Sequence, residues 1–409
     1  MPVLIQNGLI VALAPINYKM KKSIFILAVF IAFFVSCKKD SETIMDTPNS
    51  VGTSGRALDK LARGINLSNW FNDYSDKAQF ATRFNAGHFT QIKNAGFTYV
   101  RLPIGPSVIC DPTNIATIQP ANLTLIDQAI KNINAAGLAV AIEIHNSNRP
   151  FEIKLATDPL SRVAFRQFWK SLATNLKKYD TTQLFFEIYN EPHVGAEQLI
   201  AGIDKNWWSP FQQQIIQSIR EAAPEHYIIA GAENWNNWYD LTLLQPYNVK
   251  NVVYNFHLYD PFTFTHQGAE WVGDPYDKMK AIPYPANPGN MLPLVTAAST
   301  TTLKNLLSWH GNQRYNIDSM NLVVKQVYLW GNRNSVPVIC NEFGVYKKFV
   351  PLDSRVRYLQ DMHNTLAKYK MGWAVWEYDE TFGLTSYPTS TRTGVPNWDT
   401  NILNSLGLK

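Results

Sequence analysis

The sequence predicts an α/β fold, a (β/α)₈ TIM barrel forming a single domain. Eight short apolar runs alternate with longer helical patterns over about 350 residues, beginning near Leu61. Polar side chains stand at the ends of most of these runs, and no Gly-rich phosphate loop follows any of them. Alternating strands and helices indicate a parallel sheet, and eight units favour a closed barrel over an open nucleotide-binding sheet.

The eight predicted strands are ARGINL (62–67), YVRLPI (99–104), LAVAIEIH (138–145), QLFFEIYNE (183–191), HYIIAG (226–231), NVVYNFH (251–257), SVPVICNE (335–342) and GWAVWE (372–377). Helical periodicity predicts helices over residues 125–136, 164–178, 211–223, 303–330 and 355–370. The first of these ends at Gly137, a typical helix stop. A long aromatic and Pro-rich insertion follows the sixth strand and extends to about residue 296.

The composition is that of a globular protein with one large core. Of the 409 residues, 46% are hydrophobic and 17% are charged. The formal charge of +5 includes three lysines that lie in residues 1–36, where there is no acidic residue. No basic block remains in the rest of the chain, so we expect no nucleic-acid partner. Cys110 and Cys340 lie in neither a paired nor a metal-like spacing.

The N-terminus has the pattern of an export signal. Lys21 and Lys22 precede twelve apolar residues, 24–35, a run too short for a confident transmembrane helix. We predict a signal peptide over residues 1–36, with Met20 as the true start. Ser36-Cys37 resembles the lipobox of a bacterial lipoprotein, although Phe34 stands where Leu is usual.

That resemblance implies lipidation of Cys37, a flexible tether over residues 37–55, and a folded domain over residues 56–409. We expect an exported protein, lipid-anchored at the bacterial outer membrane or cell surface. The alternative is an ordinary signal peptide and a secreted protein in which the cysteine is incidental.

Polar residues follow a regular order along the predicted strands. Because the C-terminal ends of all barrel strands converge on one face, residues far apart in sequence are expected to share one pocket there. The residues at these positions are Arg101, His145, Asn146, Asn190, Glu191, His257, Tyr259, Glu342 and Trp376. Singly, such a residue is often a satisfied structural group; their joint occurrence at the strand ends indicates an active site.

Two carboxylates in this pocket, Glu191 and Glu342, suit the cleavage of a glycosidic bond. That reaction needs a protonated acid for the leaving oxygen and an ionised carboxylate on the opposite side. Burial and a like-charged neighbour raise one pKa, whereas a nearby cation such as Arg101 lowers the other.

The chain resembles family 5 of the glycoside hydrolases, the cellulase-type barrels, from Leu61 to about Trp398. The most specific motif is IYNEP (188–192) on strand four, and CNEFG (340–344) resembles the strand-seven motif. RLPI (101–104) and RGINLSNW (63–70) match strands two and one, with Ser68 where Gly is common.

The resemblance implies a retaining mechanism that needs no metal or other cofactor. Glu191 would be the acid/base, and Glu342 the nucleophile. Asn190 would hold the sugar 2-hydroxyl, and Arg101 would brace the nucleophile. The remaining family positions are a supporting polar shell and an aromatic platform beneath the sugar, here His145, His257, Tyr259 and Trp376.

Aromatic and amide residues in two loops predict sugar subsites. Aromatic faces pack against the apolar C–H faces of sugars, and amides bind the hydroxyls. The alternative is a structural lid with buried rings. The candidates are Trp235 and Trp238 in AENWNNW (232–238), His266 and Trp271 in DPFTFTHQGAEW (260–271), and Asn146 after strand three. Trp207 and Trp208, at the start of a helix, are interpreted as packing residues.

These observations favour a monomeric endo-β-1,4-glucanase that acts on a polysaccharide or oligosaccharide and contacts the membrane only through its N-terminal lipid. An endo-β-mannanase or β-1,3-glucanase would use the same residues. A non-catalytic glycan-binding lipoprotein would be expected to lack one glutamate, yet both are present. A metal-dependent barrel hydrolase using His145 and His257 would usually carry a His-x-His motif on strand one, and residues 63–70 contain no His.

Overall fold

The computed structural model describes residues 55–111, 113–389 and 391–409. The predicted signal peptide, Cys37 and nearly all of the predicted tether lie outside these residues. Their assignments therefore remain predictions.

Eight parallel strands form a closed barrel, which confirms the predicted (β/α)₈ fold. Each strand pairs with its neighbours in chain order, and the last strand pairs with the first. The strands are β1 (Arg63–Asn66), β2 (Tyr99–Ile104), β3 (Ala139–Ile144), β4 (Leu184–Glu187), β5 (Tyr227–Gly231), β6 (Val252–His257), β7 (Val338–Phe343) and β8 (Gly372–Val375).

Several strands are shorter than the sequence predicts. β4 ends at Glu187, so Asn190 and Glu191 lie in the loop that follows it. β8 ends at Val375, and Trp376 is the next residue. The Trp376 backbone N–H still donates to the carbonyl of Phe343 at 2.7 Å. The polar residues therefore lie at the rim of the barrel, where side chains and a substrate can meet.

Helices surround the barrel. Those packed outside the strands are α1 (Ala86–Asn94), α2 (Pro120–Ala135), α3 (Pro159–Leu176), α4 (Trp208–Ala222), α5 (Trp238–Leu243), α6 (Ile317–Asn334), α7 (Leu352–Lys368) and α8 (Thr400–Ser405). Shorter or inserted helices span Gly55–Lys60, Lys77–Gln79, Pro106–Ile109, Arg149–Thr157, Ala196–Ile200, Phe262–Thr265, Tyr276–Lys278, Pro288–Ala297 and Thr301–Gln313. Two-stranded ribbons pair Cys110–Asp111 with Asn114–Ile118 and Thr385–Ser386 with Asn397–Trp398.

The prediction of one helix over residues 303–330 is wrong. Two helices cover this stretch, because Arg314 has a left-handed backbone with φ 50° that ends the first. The side chain of Asn316 then accepts hydrogen bonds from the backbone N–H groups of Asp318 and Ser319, which caps α6.

The barrel interior has an apolar lower part and a polar upper layer. Inward-facing positions alternate along each strand, and β3 presents Ala139, Ala141 and Glu143 in this order. Tyr99, Ala141 and Phe185 belong to the apolar interior cluster. Above them lies the polar layer, six fully buried side chains from six different strands: Asn66, Arg101, Glu143, Glu187, Asn255 and Asn341.

Helix α4 holds the end of β5. The Gln212 side chain both donates to the carbonyl of Gly231 at 2.8 Å and accepts from its N–H at 3.2 Å. The indole N–H of Trp208 donates to the same carbonyl at 3.3 Å. Trp207 and Trp208 are both buried, as predicted for packing residues. The β5 end, which borders the site, is thereby fixed by a helix.

A β-bulge in β7 changes the direction of its side chains. Its β6 partners advance by one residue, from Phe256 to His257, while β7 advances by two, from Cys340 to Glu342. Neighbouring residues of a regular strand face opposite sides, but the bulge lets Asn341 and Glu342 both face the barrel interior.

Cys340 and Cys110 are buried free thiols. Among the described residues, no helix has the length and apolarity needed to cross a membrane.

Candidate active site

Glu191 lies at the rim of the barrel, four residues beyond the end of β4. Its backbone is left-handed, with φ 50°, a conformation that costs energy for a residue with a side chain and is enriched at functional sites. About a quarter of its side chain is exposed, 26%. Burial raises the pKa of this carboxyl to about 7, with a smaller contribution from the negative charge of Glu143. The carboxyl is thus suited to exchange protons near neutral pH.

Glu342 is held on both of its oxygens. A guanidinium nitrogen of Arg101, Nη1, donates to Oε2 at 2.7 Å. The hydroxyl of Tyr259 donates to Oε1 at 3.0 Å. The cation and the hydroxyl therefore fix the orientation of this carboxylate.

The two carboxylates are close enough to act on one bond. One oxygen of Glu191, one of Glu342 and a ring nitrogen of His257 all lie within 4.8 Å of one another. In retaining glycosidases the two carboxyl groups are about 5–5.5 Å apart, whereas inverting enzymes need about 6.5–9.5 Å. Two carboxylate oxygens this close lie below the spacing of inverting enzymes, so the geometry favours the retaining class.

His257 connects the two carboxylates. Its Nδ1 lies 2.8 Å from Oε1 of Glu191 and 3.8 Å from Oε2 of Glu342. The Asn236 amide lies against its other nitrogen, Nε2, at 3.3 Å and donates to it. Nδ1 therefore carries the proton and donates to Glu191. Burial lowers the pKa of His257 to about 4, which keeps the ring neutral.

The loop after β5 brings Asn236 to His257. Asn234, Trp235 and Asn236 have consecutive left-handed backbones, with φ of 64°, 64° and 51°. A Cβ on Gly231 would lie only 2.3 Å from Oδ1 of Asn236. Glycine at the end of β5 is therefore required for the Asn236 side chain to lie there.

His145 and Trp376 form a second pair. Their rings stack, with centroids 5.4 Å apart and an interplanar angle of 18°. Nδ1 of His145 lies 2.7 Å from Oε1 of the buried Glu143. Burial lowers the pKa of His145, but Glu143 outweighs it and raises the pKa above the usual value. Glu143 therefore orients the ring that packs against the predicted sugar platform.

The loop residues predicted to bind sugar differ in how exposed their rings are. Trp235 is 48% exposed and stacks on His193 at 4.2 Å between centroids, and Trp271 is 59% exposed. Trp238 is half-buried against the main core. His266 is buried and stacks on Phe262 at 3.9 Å. Trp235 and Trp271 thus have ring faces available for a sugar, whereas His266 and Trp238 are mostly packed.

Asn146 is half-buried, and its side-chain oxygen accepts from the backbone N–H of Asn148 at 3.0 Å. That bond shapes the loop after β3. A role for Asn146 in sugar binding stays a prediction.

Four polar residues of this region were not predicted from the sequence. Glu143 and Glu187 are buried below the rim, and Asn236 supports His257. Glu377, beside Trp376, is buried against the Ser68 hydroxyl, and burial raises its pKa well above the usual value. The sequence carries a signal for Glu143 and Glu187, which are charged residues within apolar strands. A charged residue at an inward position of such a strand needs a buried partner.

The Glu191, His257 and Glu342 cluster has the donor types of a metal site. However, the Arg101 guanidinium contacts Glu342 at 2.7 Å and opposes a second cation there. The arrangement instead provides one carboxyl that can be protonated near neutral pH and one that is held by a cation, the division of labour that glycosidic cleavage needs.

Comparison with protein families agrees with this geometry. The family model described as cellulase, glycosyl hydrolase family 5, matches residues 52–381. The chain therefore belongs to this family, and the predicted class of enzyme, a glycoside hydrolase, is confirmed.

Two of the curated relatives are endoglucanases. Endoglucanase 3 of Fibrobacter succinogenes is 25% identical over 345 residues, covering 80% of this chain and 51% of that protein. The chain thus spans about half the length of that relative. Endoglucanase C of Acetivibrio thermocellus is 26% identical over 324 residues, covering 77% of this chain and 90% of that protein.

Solved structures show the same similarity. Thermotoga maritima Cel5A in complex with cellobiose is 28% identical, with a TM-score of 0.66 over 86% of this chain and 98% of that one. A complex of the same enzyme with mannotriose aligns equally well, with a TM-score of 0.66. A hyperthermophilic endo-beta-1,4-glucanase in complex with substrate is 25% identical, with a TM-score of 0.68 over 87% and 100% of the two chains.

Proposed function

We propose that this protein is a retaining β-glycan hydrolase in which Glu342 is the nucleophile and Glu191 the acid/base. The observation that supports it most directly is that an oxygen of Glu191 and an oxygen of Glu342 lie within 4.8 Å of each other, both next to Nδ1 of His257. The different environments of the two groups support these roles. Glu191 has a pKa of about 7, whereas Glu342 is held by Arg101 and Tyr259.

In the first step, an oxygen of Glu342 bonds to the anomeric carbon as the bond to the leaving oxygen breaks. Glu191 donates its proton to that oxygen, so the leaving sugar departs as an alcohol. Nδ1 of His257 lies 2.8 Å from Oε1 of Glu191 and holds this carboxyl in its orientation during the transfer. In the second step, Glu191 removes a proton from water, and the water oxygen displaces Glu342 from the sugar.

The substrate that this proposal favours is a β-1,4-glucan cleaved internally. The curated relatives named above are endoglucanases. An endo-β-mannanase is the second candidate, because Cel5A, with the same fold, was solved with both cellobiose and mannotriose. A β-1,3-glucanase would also use this pair of carboxylates.

A hydrolysis panel tests this proposal. Carboxymethyl-cellulose, glucomannan, galactomannan, laminarin and xylan are incubated with the enzyme, and product sizes are measured. We expect carboxymethyl-cellulose to be cleaved into mixed oligosaccharides, with the β-anomer formed first in the NMR spectrum. Initial release of the α-anomer would contradict the retaining mechanism. Binding without cleavage of any glycan would favour a non-catalytic glycan-binding protein.

Chelation separates this mechanism from a metal-dependent hydrolase. In the proposed mechanism Glu191 transfers the proton and Glu342 makes the covalent attack, so activity should survive prolonged dialysis against EDTA. The measurement is the initial rate on carboxymethyl-cellulose before and after dialysis. Loss of activity that is restored by added Zn²⁺ would contradict the proposal.

A further inference from the structure

Glu187 is a fully buried carboxylate at the end of β4, and it contacts four hydrogen-bond donors. Oε1 accepts from Nη2 of Arg101 at 2.7 Å and from the Asn255 amide at 3.3 Å. Oε2 accepts from Nε of Arg101 at 2.9 Å and from the Asn341 amide at 2.7 Å. Three strands, β2, β6 and β7, thus donate to one side chain.

Arg101 uses all of its donors. The Nε and Nη2 bonds to Glu187 form a two-point fork, which fixes the plane of the guanidinium. The remaining N–H groups donate to Glu342 at 2.7 Å, Asn66 at 3.0 Å and Asn190 at 2.9 Å. A guanidinium has five N–H groups in a rigid plane, so fixing one edge determines where the other edge points.

We propose that Glu187 is a positioning residue for the nucleophile. This inference rests on the proposed function. The fork from Glu187 holds the Arg101 plane so that Nη1 meets Glu342, and the Asn341 contact fixes the residue next to Glu342 in the β7 bulge. Glu187 itself does not reach the substrate, because it is buried below the rim of the barrel.

The partners of Glu187 indicate that it acts as a carboxylate. All four contacts are donors, and both amides direct their nitrogen to Glu187 although their own oxygens have no partner among the described residues. A carboxylate is acceptor-only, which suits this arrangement. The other charged or titratable groups around it are Glu143 on β3, Tyr99 on β2 and His257 on β6. Burial raises the pKa of Glu187, and Arg101 opposes that shift.

The first experiment replaces Glu187 with Gln in the full chain. The amide keeps the volume but presents N–H groups to donors, so the fork to Arg101 is broken. We expect kcat/KM to fall about 100-fold, the effect typical of misplacing a reacting group. The fall should be similar on carboxymethyl-cellulose and on dinitrophenyl β-cellobioside, because both need attack by Glu342. The Kd for cellobiose should change less than about twofold, since Glu187 makes no sugar contact.

Phe186→Leu is the matched control for lost stability. Phe186 is the neighbouring residue of β4, is fully buried and stacks on His226 at 5.1 Å, so it faces away from Arg101. We expect Phe186→Leu to lower Tm about as much as Glu187→Gln does, but to leave kcat/KM unchanged. That result would show that destabilisation alone does not slow the reaction. Equal losses of kcat/KM in the two variants would overturn the proposal.

A double-mutant cycle with Arg101→Lys tests the route of the effect. A lysine ammonium is a point charge and cannot hold Glu187 and Glu342 through one plane. If Glu187 acts through Arg101, the double variant is no slower than the slower single variant. If the fold losses in kcat/KM of the two single variants multiply in the double variant, the two residues act independently. That result would overturn the inference.

If Glu187→Gln does not fold, Glu187→Asp gives the answer. It keeps the charge but is one methylene too short to hold both Arg101 nitrogens, so we expect a loss of about 10-fold. Wild-type kcat/KM in Glu187→Asp would overturn the inference. An inactive wild-type enzyme would instead refute the proposed function, whereas an active enzyme that is indifferent to Glu187 refutes only this inference.

Discussion

At the scale of single residues, the pKa of Glu191 determines the pH dependence. Burial raises it to about 7, and the protonated form is the one that can protonate a leaving oxygen. The acid is therefore present below pH 7 and is lost as the pH rises through about 7. We expect kcat/KM on carboxymethyl-cellulose to fall above this pH.

Dinitrophenyl β-cellobioside is the control for this assignment. Its leaving group departs without a proton, so the basic limb near pH 7 should be absent or weak in its profile. If activity falls near pH 7 on both substrates, a group other than Glu191 controls that part of the pH profile.

Replacing each of the two glutamates should impair a different step of the reaction. Glu342→Ala removes the covalent step and should abolish turnover on every glycoside. Glu191→Ala should slow substrates with poor leaving groups most, and should accumulate the glycosyl-enzyme when the leaving group is an acidic phenol.

Azide distinguishes the two variants because it needs no general base. With Glu191→Ala it should attack the intermediate and give a β-glycosyl azide. With Glu342→Ala it should enter from the vacated face and give the α-azide. The products are assigned by NMR, and the opposite stereochemistry would refute the roles.

Sequence reasoning located the rim residues but not those beneath them. Glu191 follows an apolar strand and Glu342 lies near the end of another, a pattern visible in one dimension. Glu187 is paired with Arg101, 86 positions away, and with Asn341, 154 positions away. Such pairings depend on the register of three strands and on a bulge, which periodicity does not encode.

At the scale of elements, the turn after β7 depends on Gly344. A Cβ on Gly344 would lie 2.1 Å from the backbone carbonyl oxygen of Trp376. Since backbone atoms cannot rotate away, Gly344→Ala must separate the end of β7 from the end of β8. We expect a loss of about 3 kcal/mol in the free energy of unfolding, together with reduced kcat from a displaced Trp376. Denaturant unfolding and initial rates measure the two effects.

Gly289→Ala is the matched control for this variant. Gly289 lies in the first turn of the Pro288–Ala297 helix, and its added Cβ would meet only the Asn287 side-chain oxygen, at 3.2 Å. It should change stability by less than about 1 kcal/mol. Similar unfolding free energies for the two variants would contradict the proposed clash.

Element boundaries were harder to predict than element types. All eight strands were predicted, but residues 303–330 were interpreted as one helix because their apolar period continues through the break. The structure has a left-handed residue at Arg314 and a cap at Asn316. Arginine has no strong preference for the left-handed region, so only the nearby Asn316 signalled a new helix start.

At the scale of the whole molecule, barrel closure brings the site together. Arg101 and Glu342 are 241 positions apart, yet they share a 2.7 Å hydrogen bond because β2 and β7, separated in the barrel by β1 and β8, both direct these side chains inward. The barrel also explains why the class of enzyme was predictable and the substrate was not. Strand ends carry the shared chemistry, whereas the sugars farther from the cleaved bond are predicted to meet exposed loop residues such as Trp235 and Trp271.

The prediction of a membrane anchor depends on residues outside the described part of the chain. We propose that the mature protein lacks residues 1–36 and that Cys37 is acylated. The basis is the pair Lys21 and Lys22, the apolar run 24–35 and Ser36 before Cys37. A lipid on one cysteine would hold the enzyme at a membrane while leaving the barrel in water.

Cys37→Ala tests this anchor in the bacterial host, by membrane fractionation and by activity per mole of protein. The variant should move to the soluble fraction or accumulate with residues 1–36 uncleaved, because the acylated sulfur is missing. Its soluble form should retain full kcat/KM, since no described residue of the site lies near this end of the sequence. The control is Ser41→Ala, which changes a nearby tether residue and leaves Cys37 in place. Unchanged membrane association of Cys37→Ala would show that the protein is held there by something other than this lipid.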